Sequence, residues 1–329
     1  MSAPLLAVES LGVEYQRGGA WHAAIDGVSL SIEAGRAVGL VGESGCGKST
    51  LAAALLRALP ENGRFARGAV RWCGRDLATM SAAELLRWRG REIAWIEQEP
   101  SAALDPLFAV GDQIAEGLRV HAGLTRSAAH ARAVELLAKV GLAEPELRAR
   151  ARPHQLSLGM RQRVGVAMAV ALQPALLIAD EPTSALDASL RHAVLDLIDD
   201  LRRESGMALL LISHDLRTVA ERCDEAVVMY AGRFVERGPA AALLEAPRHP
   251  YARALAATRR AAGPLARGER FAALPGAPSA LGAVAPGCAF HPRCPLAETE
   301  CTREVPPLAP DGPGFALACP VVARRGGRR

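Results

Sequence analysis

The sequence predicts an α/β fold built around a phosphate-binding loop, and three observations carry that prediction. A short apolar stretch, Val38 to Val41, runs straight into Gly42-Glu-Ser-Gly-Cys-Gly-Lys-Ser-Thr50 and then into the helical stretch Leu51 to Leu59. A second apolar stretch, Ala175 to Ala179, ends in the acids Asp180 and Glu181. Between them, from about Ala102 to Gln155, strand patterning gives way to helical spacing. Buried strands that end at loops, with helices between them, are the α/β arrangement.

Size and composition bound the rest. The 329 residues leave room for one large domain or two of ordinary size. Half of them are apolar and 22% are charged, which excludes a disordered tail or a collagen-like repeat. The longest apolar run, Val164 to Leu172, stops at Gln173 and Pro174, well short of the roughly 18–20 residues that cross a bilayer. The N-terminus lacks a basic region followed by an apolar core and a small-residue cleavage site, so the chain is expected in the cytoplasm. The net charge of +4 comes mainly from arginines after residue 259, and no general nucleic-acid-binding face is indicated.

The basic residues are almost all arginine; Lys48 and Lys139 are the only lysines. A lysine kept in the glycine-rich loop suits a compact charge inserted beneath a phosphate. The spacing G-x-x-x-x-G-K-[ST] lets the backbone N–H groups of Gly42, Glu43, Ser44, Gly45, Cys46 and Gly47 curl around phosphate oxygens, and the N-terminus of the following helix adds partial positive charge. Lys48 would reach the β- and γ-phosphates, Ser49 would hold Mg²⁺ through its hydroxyl, and Thr50 completes the motif. A dinucleotide fingerprint fits less well, because no third glycine stands at Thr50. Cys46 lies near a helix N-terminus, which would favour a thiolate, and either a redox-sensitive role or a plain small-residue role is open. At the end of the second strand Asp180 is expected to partner Mg²⁺ and Glu181 to stand beside an attacking water.

Between these two motifs lies Leu156-Ser-Leu-Gly-Met-Arg-Gln-Arg163, close to the LSGGQ signature of ABC-type ATPases. With it, the chain resembles that family over residues 15 to 214. The resemblance implies a RecA-like core, an antiparallel β subdomain and a helical subdomain over about residues 102–172, within a nucleotide-binding domain of residues 1–258. It makes Gln98 in IEQEP the Q-loop glutamine, a catalytic and Mg²⁺-side residue. Ser184-Ala-Leu-Asp187 becomes the D-loop, His214 the switch histidine that holds the γ-phosphate, and Tyr15 the aromatic that stacks on adenine. In this family the signature loop closes over the nucleotide of a second cassette, so Ser157 and Gly159 are expected to face a partner's ATP. Two departures stand out: Leu158 replaces the first glycine of the signature pair, and Glu97 replaces the aromatic common before the Q-loop glutamine.

Outside the ATP motifs, Ser127 to Val140 shows helical spacing, and strands are expected at Ala208–Ile212 and Ala226–Met229. A short helix should follow Arg237-Gly-Pro239 and another should open at His249-Pro-Tyr251. A Pro/Gly/Ala-rich linker runs from Gly263 to Gly287, inside a C-terminal extension of residues 259–329. HPY and the pattern from Gly287 to Cys301 are similar to the C-terminal extension of ATPase subunits from the oligopeptide/dipeptide (nickel) permease group. Some members carry a [4Fe–4S] centre, so the resemblance implies one at Cys288, Cys294, Cys301 and Cys319. Zinc or another metal, or free structural thiols, are the other readings of these cysteines, and the spacing matches no zinc ribbon. His291 is a substitute ligand or a turn residue.

The function so implied is ATP hydrolysis by one subunit of an importer for peptides or related solutes. Its partners would be a second ATPase subunit, two membrane-spanning permease subunits and, indirectly, an extracytoplasmic solute-binding protein, with no nucleic acid. The chain would sit peripherally on the cytoplasmic face of the membrane and receive a coupling helix between Gln98 and Val110. The alternatives are a soluble ABC ATPase outside transport, and a catalytically weak cassette paired with an active one, for which Leu158 is the argument.

Overall fold

The computed structural model describes residues 3–99, 103–184, 186–260, 276 and 284–326. The chain divides into two compact units. The first takes Met1–Ile32, Ala37–Ala78 and Leu211–Arg329, and the second takes Glu33–Arg36 and Thr79–Leu210.

The first unit opens with β1 (Leu6–Arg17), β2 (Ala20–Ile32), β3 (Ala37–Val41), α1 (Lys48–Leu55), β4 (Gly63–Trp72) and β5 (Arg75–Asp76). Four of these strands form an antiparallel sheet in the order β2-β1-β4-β5. Val8 lies opposite both Leu30 and Val70. The buried face of β1 is Leu6 and Val8, then Leu11 and Val13. That change of parity needs one extra residue, and a register shift between Val8 and Leu11 supplies it, with Ser10 at φ 47°. By contrast β3 is buried at every position, as expected of a strand inside a parallel layer.

The second unit contains α2 (Ala82–Trp88), β6 (Ile93–Ile96), α3 (Val110–Ala122), α4 (Arg126–Lys139), α5 (Pro145–Ala149), α6 (Leu158–Val170), β7 (Leu176–Asp180) and α7 (Ala188–Ser205). β6 and β7 pair in parallel, Ile93 beside Leu176. α3 buries Val110, Ile114 and Leu118, one helical face at steps of four. It stops at Gly123, which takes a left-handed conformation at φ 68°. α4 starts at Thr125, whose hydroxyl accepts the Ala128 N–H, close to the helix expected from Ser127.

The chain returns to the first unit within β8 (Ala208–Ser213) and continues through α8 (Leu216–Arg222), β9 (Glu225–Tyr230), β10 (Arg233–Pro239), α9 (Ala240–Glu245) and α10 (Pro250–Arg260). β3 and β9 run parallel, with Leu40 beside Val227. The last elements are β11 (Ala309–Pro310), β12 (Ala316–Leu317) and α11 (Pro320–Gly326). Here β12 pairs with β10, Glu236 opposite Leu317, so the C-terminal region adds strands to the layer that carries β3. Two-residue strands have no periodicity, and the sequence reading did not anticipate them. Most of the Gly263–Gly287 linker lies outside the described residues.

Candidate functional site

In the first unit β3 ends at Val41 and α1 begins at Lys48, so residues 42–47 are a loop held between a buried strand and a helix N-terminus. Two glycines are forced by close approach. A Cβ at Gly42 would lie 2.4 Å from the Met229 carbonyl oxygen. Gly47 has φ +112°, and a Cβ there would lie 2.9 Å from the Ala24 carbonyl oxygen. The loop is further pinned by the Gly232 N–H, which donates to the Cys46 carbonyl at 2.8 Å. Lys48 is 5% exposed, and its ammonium donates to the carbonyls of Gly42 at 2.9 Å and Glu43 at 3.0 Å. The loop thus curls around its own cation, with Ser49 and Thr50 in the first turn of α1.

Tyr15 is half-buried on β1, where its ring packs over Gly63; a Cβ at that glycine would lie 2.8 Å from Tyr15 Cε1. His214 follows β8 and is exposed. Its neighbour Asp215 caps α8 by accepting the Arg217 N–H at 3.1 Å.

In the second unit Asp180 ends β7 and is 2% exposed. Glu181 follows with φ 44°, a left-handed backbone that is costly for a residue with a side chain and recurs at functional positions. The Ser184 N–H donates to the Glu181 carbonyl at 3.1 Å, and the Ser184 hydroxyl reaches the Gln98 carbonyl at 3.5 Å. The structure therefore brings the segment carrying Gln98 against the one carrying Glu181. Ser157 caps α6, its hydroxyl accepting the Met160 N–H at 3.3 Å. Asp187 precedes α7 and accepts the Leu190 N–H at 3.0 Å. The two helix starts meet: a Cβ at Gly159 would lie 3.3 Å from Leu190 Cδ2.

Comparison with known proteins gives these motifs a common origin. Residues 25–184 match the family model "ABC transporter", and residues 235–301 match "Oligopeptide/dipeptide transporter, C-terminal region". A putative peptide import ATP-binding protein of Brucella abortus is 41% identical over 320 residues, covering 97% of this chain and 95% of that protein. The chain belongs to the ABC transporter family. The dipeptide transport ATP-binding protein DppD of Escherichia coli is 43% identical, with 92% of each chain covered. The oligopeptide transport ATP-binding protein OppD of Mycobacterium bovis is also 43% identical, and the chain spans about half its length, 52%. Among solved structures, an ATP-binding cassette captured as a dimer after hydrolysis, with ADP and phosphate, aligns with TM-score 0.64 at 25% identity. That alignment covers 71% of this chain and 98% of the cassette.

In this ABC chain burial agrees with a plain small-residue role for Cys46, and the expected iron–sulfur centre is not supported. Burial pushes the Cys46 thiol up and outweighs the lowering effect of Lys48, so the thiolate is disfavoured despite the nearby helix N-terminus. Cys288, Cys294, Cys301 and Cys319 do line one pocket, of about 260 Å³ and mostly apolar. Among the described residues, however, no group of three or more His, Cys, Asp or Glu side chains could hold a metal ion, and the fit to an iron–sulfur cluster is not met. Burial also pushes the thiols of Cys288, Cys294 and Cys319 up in the metal-free chain. His291 behaves as a turn residue, its Nδ1 lying 2.9 Å from the Cys288 carbonyl oxygen.

What sequence reasoning missed is the role of HPY. Glu236 on β10 is fully buried, and its carboxylate accepts the backbone N–H groups of Arg248 and His249, both at 2.8 Å. The His249 ring then caps α10 by accepting the Tyr251 N–H on Nδ1 at 3.1 Å, and Pro250 takes the first helical position. This turn sends the Tyr251 hydroxyl to the phosphate loop, where it accepts the Glu43 N–H at 2.8 Å. Arg293, between two of the cysteines, arrives at the same loop residue and pairs with the Glu43 carboxylate. No local pattern in the sequence signals this pairing.

Proposed function

We propose that this chain is the ATP-hydrolysing subunit of an ABC importer for peptides or related solutes, and that it works by pairing with a second ATPase subunit. The observation that carries the reading is the phosphate loop: a buried lysine held on two loop carbonyls at the foot of a helix, with glycines wherever a side chain would block the backbone. The donor set of the loop fits a triphosphate, since Lys48, Ser49 and the loop N–H groups supply cation, hydroxyl and donors, and Asp180 in the second unit is a buried hard oxygen of the kind magnesium takes. Bound magnesium, held by Ser49, Gln98 and Asp180, would offset the negative charge of the β- and γ-phosphates.

In this reading Lys48 stabilises charge building on the transferred phosphoryl group, Glu181 takes a proton from the attacking water, and His214 fixes the γ-phosphate. Tyr15 stacks on the adenine. Ser157, exposed at the N-terminus of α6, faces the nucleotide of the second subunit, where that helix end favours an anion, while Gly159, expected beside it, is buried against Leu190. Asp187, which orders the start of α7 by accepting the Leu190 N–H, is the D-loop residue of this reading. The cassette takes residues 1–258 and the extension residues 259–329.

The peptide assignment is supported by the likeness to peptide and dipeptide import subunits along nearly the whole chain. No helix among the described residues is long and apolar enough to cross a membrane, so separate permease subunits would supply the pore. Leu107 and Phe108, 71% and 57% exposed just after the Q-loop, suit contact with an apolar coupling helix on the cytoplasmic face. Co-purification after mild detergent extraction tests the reading: two membrane-spanning subunits and ATP hydrolysis are expected to travel with the chain, and ATP hydrolysis with no membrane partner would reassign it to a soluble ABC ATPase.

A further inference from the structure

The ion pair between Arg293 and Glu43 couples the four-cysteine segment to the phosphate loop. Arg293 is 8% exposed, and its two terminal nitrogens grip both oxygens of Glu43, Nη1 to Oε2 at 2.7 Å and Nη2 to Oε1 at 3.0 Å. Nη1 also reaches the Tyr230 hydroxyl at 3.4 Å. Beneath the guanidinium, Tyr230, Tyr251 and Phe290 pack edge to face or tilted, with centroids 4.7–5.3 Å apart. Phe290 belongs to the cysteine segment and is 1% exposed, and with His249 it also lines the cysteine pocket. A two-pronged, buried arginine–carboxylate pair is the geometry that fixes a carboxylate in place.

Glu43 is one residue past Gly42, inside the loop expected to wrap the phosphates. A free carboxylate there would repel a triphosphate, whereas one gripped by Arg293 is neutralised and held away. Resting on the reading of residues 42–50 as a triphosphate loop, we propose that Arg293 is a positioning residue for ATP: it holds the Glu43 carboxylate off the phosphates, and it makes the shape of the loop depend on the folding of the cysteine segment.

The test is ATP hydrolysis by the full-length chain, read as KM and kcat separately, with melting temperature to monitor folding. Arg293→Gln should raise KM for ATP about tenfold while kcat stays within about twofold, since the loop is mis-set but Glu181 is untouched. Adding Glu43→Gln should recover most of that loss, because the repelling charge is gone; a merely structural role for Arg293 predicts no recovery. If Arg293→Gln does not fold, Arg293→Lys carries the test, with a smaller rise in KM, about threefold, from its single remaining contact. A folded Arg293 variant with KM unchanged, or a double variant no better than Arg293→Gln, overturns the proposal. Lys48→Ala separates the two levels: if the native chain binds ATP and Lys48→Ala does not, the loop reading stands whatever Arg293 does. A native chain that binds no ATP overturns both.

Discussion

The Tyr251 phenol oxygen lies 2.8 Å from the backbone nitrogen of Glu43, so the C-terminal HPY turn supplies a hydrogen bond to the phosphate loop from 208 residues away. Tyr251 is fully buried, and burial pushes its phenol up, so it is a neutral acceptor at every pH of interest. Tyr251→Phe keeps the aromatic packing and strips this acceptor, leaving the Glu43 N–H without it. The expected cost is about 1–2 kcal/mol of stability. Amide exchange at Glu43 should quicken, while Val28, in the antiparallel sheet, stays as slow as in the native chain. Unchanged exchange at Glu43 would show that the hydrogen bond does not restrain the loop.

His249 makes the same turn sensitive to acid. Its ring is 1% exposed, and burial lowers its pKa from 6.5 to about 3. The unfolded chain takes up this proton as the pH falls below 6.5, the folded chain only near 3, so protons favour unfolding between those values. The stability involved is present above pH 6.5 and drains as the pH falls towards 3. Burial raises the Glu236 carboxyl, which acts in the opposite sense, and it remains when His249 is replaced. His249→Asn keeps a helix-capping acceptor without the titration. The stability gap between native chain and variant should therefore shift by about 2 kcal/mol in the variant's favour between pH 7 and pH 5, measured by denaturant unfolding. A gap that does not move with pH would mean that the ring is charged or exposed in the folded chain.

These two side chains mark the limit of what the sequence makes legible. The phosphate loop, the acidic end of β7 and the signature segment at Ser157 could be read directly, because in each the chemistry lies within a few consecutive residues and the spacing carries it. β3, β7, β8 and β9 were legible as apolar runs bounded by polar or turn residues, and the structure moves their ends by a residue or so. The link from Glu43 to Arg293 spans 250 residues, and no local pattern announces a partner at that distance. HPY was legible only as a family resemblance, since its meaning lies in Glu236 and Glu43, on other elements. The choice between the two roles of Cys46 was out of reach for a related reason: a helix N-terminus can be read in sequence, whereas the burial that overrides it and favours the plain small-residue role cannot.

Ser157 caps α6, and a single substitution can separate that role from the one the proposed function gives it. Its hydroxyl caps α6 by accepting the Met160 N–H at 3.3 Å, and its exposure leaves it open to a nucleotide held by another subunit. Ser157→Ala should cost about 1 kcal/mol of stability through the lost cap. ATP affinity of the isolated subunit should not change, because Lys48 and its loop are intact. ATP-dependent pairing, followed by sedimentation, should weaken together with turnover, by about tenfold each. A variant that pairs and hydrolyses normally after losing only the cap stability would confine Ser157 to capping.

Glu181 carries the last and most direct prediction. Its backbone is held at φ 44°, a strained conformation, while Pro182 behind it and the Ser184 N–H on its carbonyl fix the turn. In the proposed function this residue is the general base for the attacking water, a role that needs a carboxylate held in a fixed place. Glu181→Gln preserves side-chain length and hydrogen-bonding capacity but cannot take the proton. Turnover should fall by roughly 10²–10⁴ with ATP affinity retained, and the ATP-bound pair should persist because its γ-phosphate is no longer lost. Glu181→Gly, which relieves the backbone strain, should raise thermal stability by a degree or two while abolishing turnover just as fully. Near-native hydrolysis in the glutamine variant would move the proton-accepting role away from Glu181.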